Sequence, residues 1–267
     1  SSGPIIAATV APALAIAFWR CFLGSAATLT VVVARHLDEL RAMTRHEWWL
    51  VVSAGLLLGA HFATWIPSLR FTTVASSTAL VATQPVWAAI IARQRGAHIP
   101  RSAWIGIGIS LIGVLVLTGV DVSVDPRHLI GDALALAGAV LAAAYVTVGE
   151  SARKTVSTAT MTSGLYAAAG VLLLALCIVG RQPLTGYSLQ AWLLIIALTA
   201  GAQLLGHTLI NKVLATTSAT VVSLAILFEM PGATIIAAAT ALLTAGAERV
   251  DAVTFARARP PGAGLAP

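Results

Sequence analysis

A carboxylate inside a long apolar run is costly in lipid, and where one occurs it marks a contact with a substrate, an ion or another buried polar group. Glu229 is the one acidic residue placed well within such a run, two residues before Pro231. Two readings stand for it: contact with a cationic or amine group or carriage of a proton, and a hydrogen-bonded carboxyl that fixes helix packing. Gln84 directly precedes Pro85. Proline removes a backbone donor and frees a carbonyl, so the pattern predicts a kinked or broken helix there. The Gln84 amide then serves either a solute path or an interhelical hydrogen bond. His61, Thr64, Trp65 and Ser68 stand at i, i+3, i+4 and i+7, one helical face that reads as a cavity lining or as packed, hydrogen-bonded core. Gln203, His207 and Asn211 stand four apart and form a second such stripe, with the same two readings. Tyr145 reads as a packing or interface residue, and Arg20 as snorkelling or internally paired.

These side chains need elements that hold them in lipid. Of the 267 residues, 58% are hydrophobic and 10% charged, against about 25% charged in a soluble domain, and the mean hydropathy is +0.90. Such a chain cannot hide its apolar side chains from water, which excludes a soluble enzyme, a disordered chain and a disulfide scaffold. The net charge of +6 comes with no basic face or aromatic stacking module, so nucleic acid is not an expected partner. Cys21 and Cys177 lie in apolar runs and read as small buried hydrophobes. No Cys or His pair has ligand spacing, so neither metal nor cofactor is expected. Phosphate-loop, zinc-protease and nucleophile-elbow signatures are absent. The chain is therefore expected not to be an enzyme, and any transport to be secondary or passive.

Runs of about 20 apolar residues span a bilayer. They read as Ala11–Ala34, Trp48–Leu69, Thr73–Ala92, the shorter Trp104–Thr118, Leu129–Val148, Met161–Val179, Gln190–Ile210 and Ala215–Leu243, with residues 1–10 as part of an earlier span. The first residue is Ser1, so the natural start is expected upstream, and residues 247–267, rich in Ala, Gly and Pro, are expected to be a disordered or aberrant tail. Arg35, Arg41, Arg45, Arg93, Arg95, Arg101, Arg153, Lys154 and Lys212 fall in alternate gaps, against Arg70, Arg127 and Arg181 in the others. That bias puts the first set in the cytoplasm of a multi-pass protein of the inner or plasma membrane. The tail then falls outside despite three arginines, so a tenth helix is expected to be missing or replaced; a C-terminal tag found in the cytoplasm would refute this. Gly55-Leu56-Leu57-Leu58-Gly59 permits close helix contact and leaves a homodimer open. Gly106, Gly108 and Gly113 read as packing positions.

The chain also repeats itself. Leu69-Arg70-Phe71-Thr72-Thr73-Val74-Ala75-Ser76 matches Leu214-Ala215-Thr216-Thr217-Ser218-Ala219-Thr220-Val221 at an offset of 145, which sets Gln84 opposite Glu229. Trp49-Leu50 and Trp192-Leu193 recur at an offset of 143. The halves are displaced by five spans, an odd number, so the second copy is inverted across the membrane. Inverted repeats with a site at their interface are a device of secondary transporters.

Four segments carry a resemblance to a known family: Phe18-Trp19-Arg20, Leu69-Arg70-Phe71 through Gln84-Pro85-Val86, Trp104-Ile105-Gly106 through Gly113-Val114-Leu115, and Gly131-Asp132-Ala133-Leu134-Ala135-Leu136. In order and spacing they resemble the EamA-type branch of the drug/metabolite transporter superfamily. At the place where that family often carries Leu-Gly-Glu, this chain reads Arg93-Gln94-Arg95-Gly96. The resemblance implies an all-α polytopic bundle of two inverted five-helix repeats: about ten spans in the intact family, about nine here, with the first truncated and the tenth missing. The first repeat would cover 1–119 and the second 129–243. It implies export or exchange of small metabolites, amino-acid-like or amine- and drug-like, by alternating access. It also implies a central cavity walled by the third, fourth, eighth and ninth helices, which here carry His61, Trp65, Gln84, Gln203, His207, Asn211 and Glu229. The alternatives are an inactive fragment of such a transporter and a non-transporting polytopic membrane protein.

Overall fold

The computed structural model describes residues 5–6, 9–118 and 125–227, and among them every regular element is a helix. In chain order these are α1 (Ala13–Arg35), α2 (Leu37–Ala42), α3 (Arg45–Phe71), α4 (Val74–Val81), α5 (Gln84–Gln94), α6 (Arg101–Thr118), α7 (Pro126–Ala152), α8 (Thr158–Val179), α9 (Leu189–Leu198), a π-helical stretch (Thr199–His207), α10 (Thr208–Val213) and α11 (Ala219–Ile226). Six stretches are long and apolar enough to cross a bilayer: α1, α3, α4 with α5 (Val74–Gln94), α7, α8, and α9 through α10 (Leu189–Val213). α6 is apolar but shorter. Each expected run from Ala11 to Ile210 has its helix. The last expected run begins as α11, four residues later than Ala215 because Ser218 caps it, and its part beyond residue 227 lies outside the described residues. So do Glu229, most of 1–10 and the tail 247–267.

The helices start where short polar side chains can satisfy the first free backbone N–H groups. Thr44 and Glu47 form a reciprocal capping box at α3, with Thr44 N donating to Glu47 Oε2 at 2.8 Å and Glu47 N to Thr44 Oγ1 at 3.2 Å. Asp125, Ser157 and Ser188 cap α7, α8 and α9. The internal repeat reappears as caps in register: Thr73 accepts from Ser76 N at the start of α4, and Ser218 from Val221 N at the start of α11.

α3 packs on α7 and α8, α1 on α8, and α5 on both α7 and α11. Phe62, Ile66, Tyr145, Leu165, Tyr166 and Leu173 fill the shared core. Outside it a belt of large apolar side chains stays uncovered, including Ile105, Ile109, Ile112 and Val116 on α6 and Leu193 and Ile196 on α9. Such a surface suits lipid rather than water.

Polar contacts gather at the two ends. At one end Glu39, on the short helix α2 that forms inside an expected polar break, accepts from Ser157 N at 2.5 Å and from Thr160 Oγ1 at 3.0 Å. Burial works against the charged form of Glu39, but these donors and the neighbouring His36 outweigh it and hold the carboxyl below its ordinary value of 4.5. Glu150 accepts from Ala219 N at 2.9 Å in the same manner, so two carboxylates sit at the positive ends of two helices. Arg153 Nε donates to Asn211 O at 2.9 Å. At the other end Arg70 Nη2 donates to Thr9 O and Ala11 O at 3.1 and 3.2 Å, Arg127 Nη2 donates to Arg70 O at 3.3 Å, and Trp19 Nε1 donates to Leu184 O at 2.8 Å.

Candidate functional site

A cavity of about 490 Å³ lies between the ends, walled by α3, α4, α5, α7, α9, the π-helical stretch, α10 and α11. Its volume is in the range of small-molecule sites. Each wall follows from a local feature. α3 presents His61 and Trp65 on successive turns, their rings stacked at 5.6 Å and 9°. α7 comes close enough to hold them because Gly138 has no side chain: a Cβ there would lie 3.1 Å from Trp65 Cβ. That approach lets His61 Nδ1 reach Gly138 O at 2.8 Å. The second wall is the break expected at Gln84-Pro85. The helix stops after Val81, Thr83 N turns back to Leu80 O and Val86 N to Thr83 O, and α5 restarts with Pro85 in its first turn. Gln84 Nε2 there donates to Ser223 Oγ of α11 at 3.1 Å.

The third wall was not expected. From Thr199 to His207 the backbone bonds i→i+5, a wider turn found frequently at functional sites, and Gly201, Ala202, Gly206 and His207 of this stretch face the cavity. Gln203 O, which accepts from Thr208 N in the π pattern, also receives the Tyr166 hydroxyl at 3.0 Å.

Of the expected site residues, His61, Trp65, Gln84 and His207 line the cavity. Gln203 and Asn211 are fully buried behind it. A π turn does not stack positions four apart, so the three-residue stripe is divided. Gln203 Oε1 accepts from Arg20 Nη2 at 3.1 Å. Asn211 Nδ2 donates to Tyr145 Oη and to His207 O, both at 2.8 Å. On α3, Thr64 and Ser68 bond backbone carbonyls of their own helix, and neither lines the cavity. Glu229 lies outside the described residues.

Tyr145, read from the sequence as a packing residue, is a wall residue, and so are Thr78 and Ser223. Their signal was a polar side chain in an otherwise aliphatic run, which recurs at many packing positions. Arg20 is fully buried, its guanidinium 4.7 Å from the centroid of the Phe62 ring. Phe62 meets His207 edge-on at 5.4 Å. The cation thus sits one aromatic layer behind the cavity. Among the described residues, no group of three or more His, Cys, Asp or Glu could hold a metal ion.

No curated protein matches the chain. A protein of known crystal structure, 18% identical, superposes with a TM-score of 0.71 over 94% of this chain and 87% of its own, a likeness of fold alone. The model of the EamA-like transporter family matches twice, at residues 4–119 and 129–248. Two family repeats over most of the chain, apolar helices long enough to cross a bilayer, and a cavity lined by helices of both repeats place this chain in the EamA-like transporter family.

Proposed function

We propose that the chain is a secondary exporter or exchanger of small metabolites, amino-acid-like or amine- and drug-like, in the inner or plasma membrane. It works by rocking two inverted halves about the central cavity. The observation that carries this reading is the cavity itself: about 490 Å³, lined by both repeats, with His61, Trp65, Gln84 and His207 in its wall. Gln84 and His207 give hydrogen bonds to the solute, and Trp65 shapes the wall. Gln203 and Asn211 act one layer back, holding the π-helical stretch, Tyr145 and His207 in place. Glu229 contacts a cationic group or carries a proton. Opening towards the end that holds Glu39 breaks the Glu150 and Arg153 bonds to the last described helices. Opening the other way breaks the Arg70 clamp on Thr9 and Ala11.

The test compares the small molecules in the medium of cells carrying the chain with those of cells carrying Glu229→Gln, at matched membrane levels. A compound enriched by the parent chain, and abolished or strongly reduced in the variant, supports export and the role of Glu229. Enrichment by both chains keeps export and rules out both roles for Glu229. No enrichment by either inserted chain refutes export.

A further inference from the structure

We propose that the turn between α5 and α6 is a docking surface for an anionic phospholipid, with the headgroup phosphate on Arg93 and Arg101 and an acyl chain along the exposed stripe of α6. The proposal concerns the outer face of the bundle and stands apart from the transport reading. Residues 84–118, which make up α5, the turn and α6, contain no Asp or Glu. They carry Arg93, Arg95 and Arg101, with His98 among them. The turn is short and built. Ala97 N donates to Ala92 O and Gly96 N to Arg93 O, both at 3.0 Å, and Gly96 has a φ of 89°, a Schellman end to α5. Ala103 N donates to Pro100 O at 3.0 Å as α6 begins. Arg93 is thereby held in the last turn of α5 and Arg101 at the start of α6, and both are exposed. Arg95 reaches across to α7, with Nη1 3.5 Å from Thr147 O and Nη2 3.5 Å from Ser151 Oγ. Thr147 and Ser151 flank Glu150, so the turn lies at the end of the bundle that holds Glu39. The neighbouring connections there mix their charges. Arg35, Arg41 and Arg45 share theirs with Asp38, Glu39 and Glu47, and Arg153 and Lys154 follow Glu150.

The same cations stand over an apolar track. Arg101, Ile105, Ile109, Ile112 and Val116 are spaced at i, i+4, i+8, i+11 and i+15, one stripe of a helix. The four apolar side chains are 62–76% exposed. At 1.5 Å per residue the stripe runs about 22 Å, against about 15 Å for half of the hydrocarbon core. A phospholipid whose phosphate sits at Arg101 therefore has apolar surface beneath it through its whole leaflet. The track alone accepts any lipid tail; the cations at its end select the headgroup. Guanidinium groups pair with phosphate oxygens through charge-assisted, bidentate bonds, and Arg clusters at helix ends attract anionic headgroups. A zwitterionic lipid brings its own cation and gains less.

Native mass spectrometry of the purified full chain, titrated in detergent with equimolar dioleoylphosphatidylglycerol (anionic) and dioleoylphosphatidylcholine (zwitterionic), reads the occupancy of each lipid. The first phosphatidylglycerol is expected to bind at least about fivefold tighter than phosphatidylcholine. Arg93→Gln and Arg101→Gln each remove one cation and are each expected to weaken phosphatidylglycerol binding about fivefold, with phosphatidylcholine binding unchanged. If one of the two fails to fold, the other carries the comparison. Arg35→Gln/Arg45→Gln removes two charges from another connection and is expected to leave the affinity within about twofold. The proposal is overturned if the two lipids bind equally, if the folded Arg93 and Arg101 variants bind like the parent, or if the Arg35/Arg45 control loses as much, which would trace the preference to net charge. Inorganic phosphate is the last arm. Displacement of the phospholipid by an equal concentration of phosphate overturns the lipid assignment in favour of a free anion; retention of the phospholipid supports the acyl chain as part of the ligand.

Discussion

Replacing Gly55 by Ala tests whether the bundle is held by direct backbone contact between α3 and α8. A Cβ built on Gly55 falls 2.5 Å from Leu165 O and 2.7 Å from Ala168 Cβ. Ordinary contacts are about 3.3–3.6 Å for carbon to carbonyl oxygen and about 3.5–4.0 Å for carbon to carbon. The helices must therefore part by roughly 1 Å, and since Leu165 O is backbone, no side chain can turn aside. Overpacking of this kind costs about 1–3 kcal/mol, and a backbone clash belongs at the upper end. The gain of about 1 kcal/mol for Ala over Gly in a helix works against it, leaving a net loss of about 2 kcal/mol. The control is Gly106→Ala on α6, where nothing among the described residues lies within 4 Å of the added carbon; there only the helix gain remains. Reversible unfolding of the purified chain in mixed detergent, followed by circular dichroism, reads both. Gly55→Ala is expected to unfold at clearly lower denaturing detergent, with Gly106→Ala at or above the parent. A Gly55→Ala chain as stable as the parent, or an equal loss in both, would refute the reasoning. Because α8 of the same chain occupies the Gly55–Gly59 face, with Ala169 Cα 3.1 Å from a Cβ on Gly59, these glycines are not free to join two copies. A homodimer, if one forms, uses another surface.

Two further outcomes follow from polar contacts. Glu39 has its carboxyl held below the ordinary value, so its stabilisation is full above the unfolded value of 4.5 and is lost as pH falls through the lower folded value. With its side chain 27% exposed, about 1 kcal/mol is expected for a charged acceptor at a helix start. Glu39→Gln should be less stable than the parent at pH 7, and the difference should shrink as pH falls below 4.5; a difference that stays constant on acidification refutes the charge as the cause. Tyr166→Phe removes the donor to Gln203 O in the π-helical stretch and should cost about 0.6–2 kcal/mol in unfolding, as interhelical hydrogen bonds in membranes do. Tyr187→Phe, which loses only an exposed bond to Pro183 O, should cost less, and the reverse order would refute the assignment.

Much of this architecture was legible in the sequence because lipid leaves few choices. Apolar runs gave the spans. The match of Leu69–Ser76 with Leu214–Val221 falls on two helix starts that the structure caps in register with Thr73 and Ser218, although the last run was expected to begin at Ala215. Gln84-Pro85 marked the break between α4 and α5 because proline acts through its own ring, a local cause. What stayed hidden depends on distant partners. The π register of Thr199–His207 is supported by Tyr166, on a different helix, so a periodicity drawn through Gln203, His207 and Asn211 assumed the wrong turn. Tyr145 is a wall residue through the packing of α7 on α3, which is close at Gly138 and Trp65. α2 forms in a polar segment, and Glu39 ties it to the start of α8, 118 residues away in the chain.

The two irregular segments share one setting. Backbone that leaves the α pattern is tolerated at membrane depth only where protein or a cavity covers it, and both irregular segments lie at the cavity. Uncharged side chains add to the backbone hydrogen bonding of both. Tyr166 donates to Gln203 O. Thr83 Oγ1 donates to Leu80 O at 2.6 Å and accepts from Trp87 Nε1 at 3.2 Å. The interruptions in the regular helix hydrogen bonding of the spans thus lie beside the cavity.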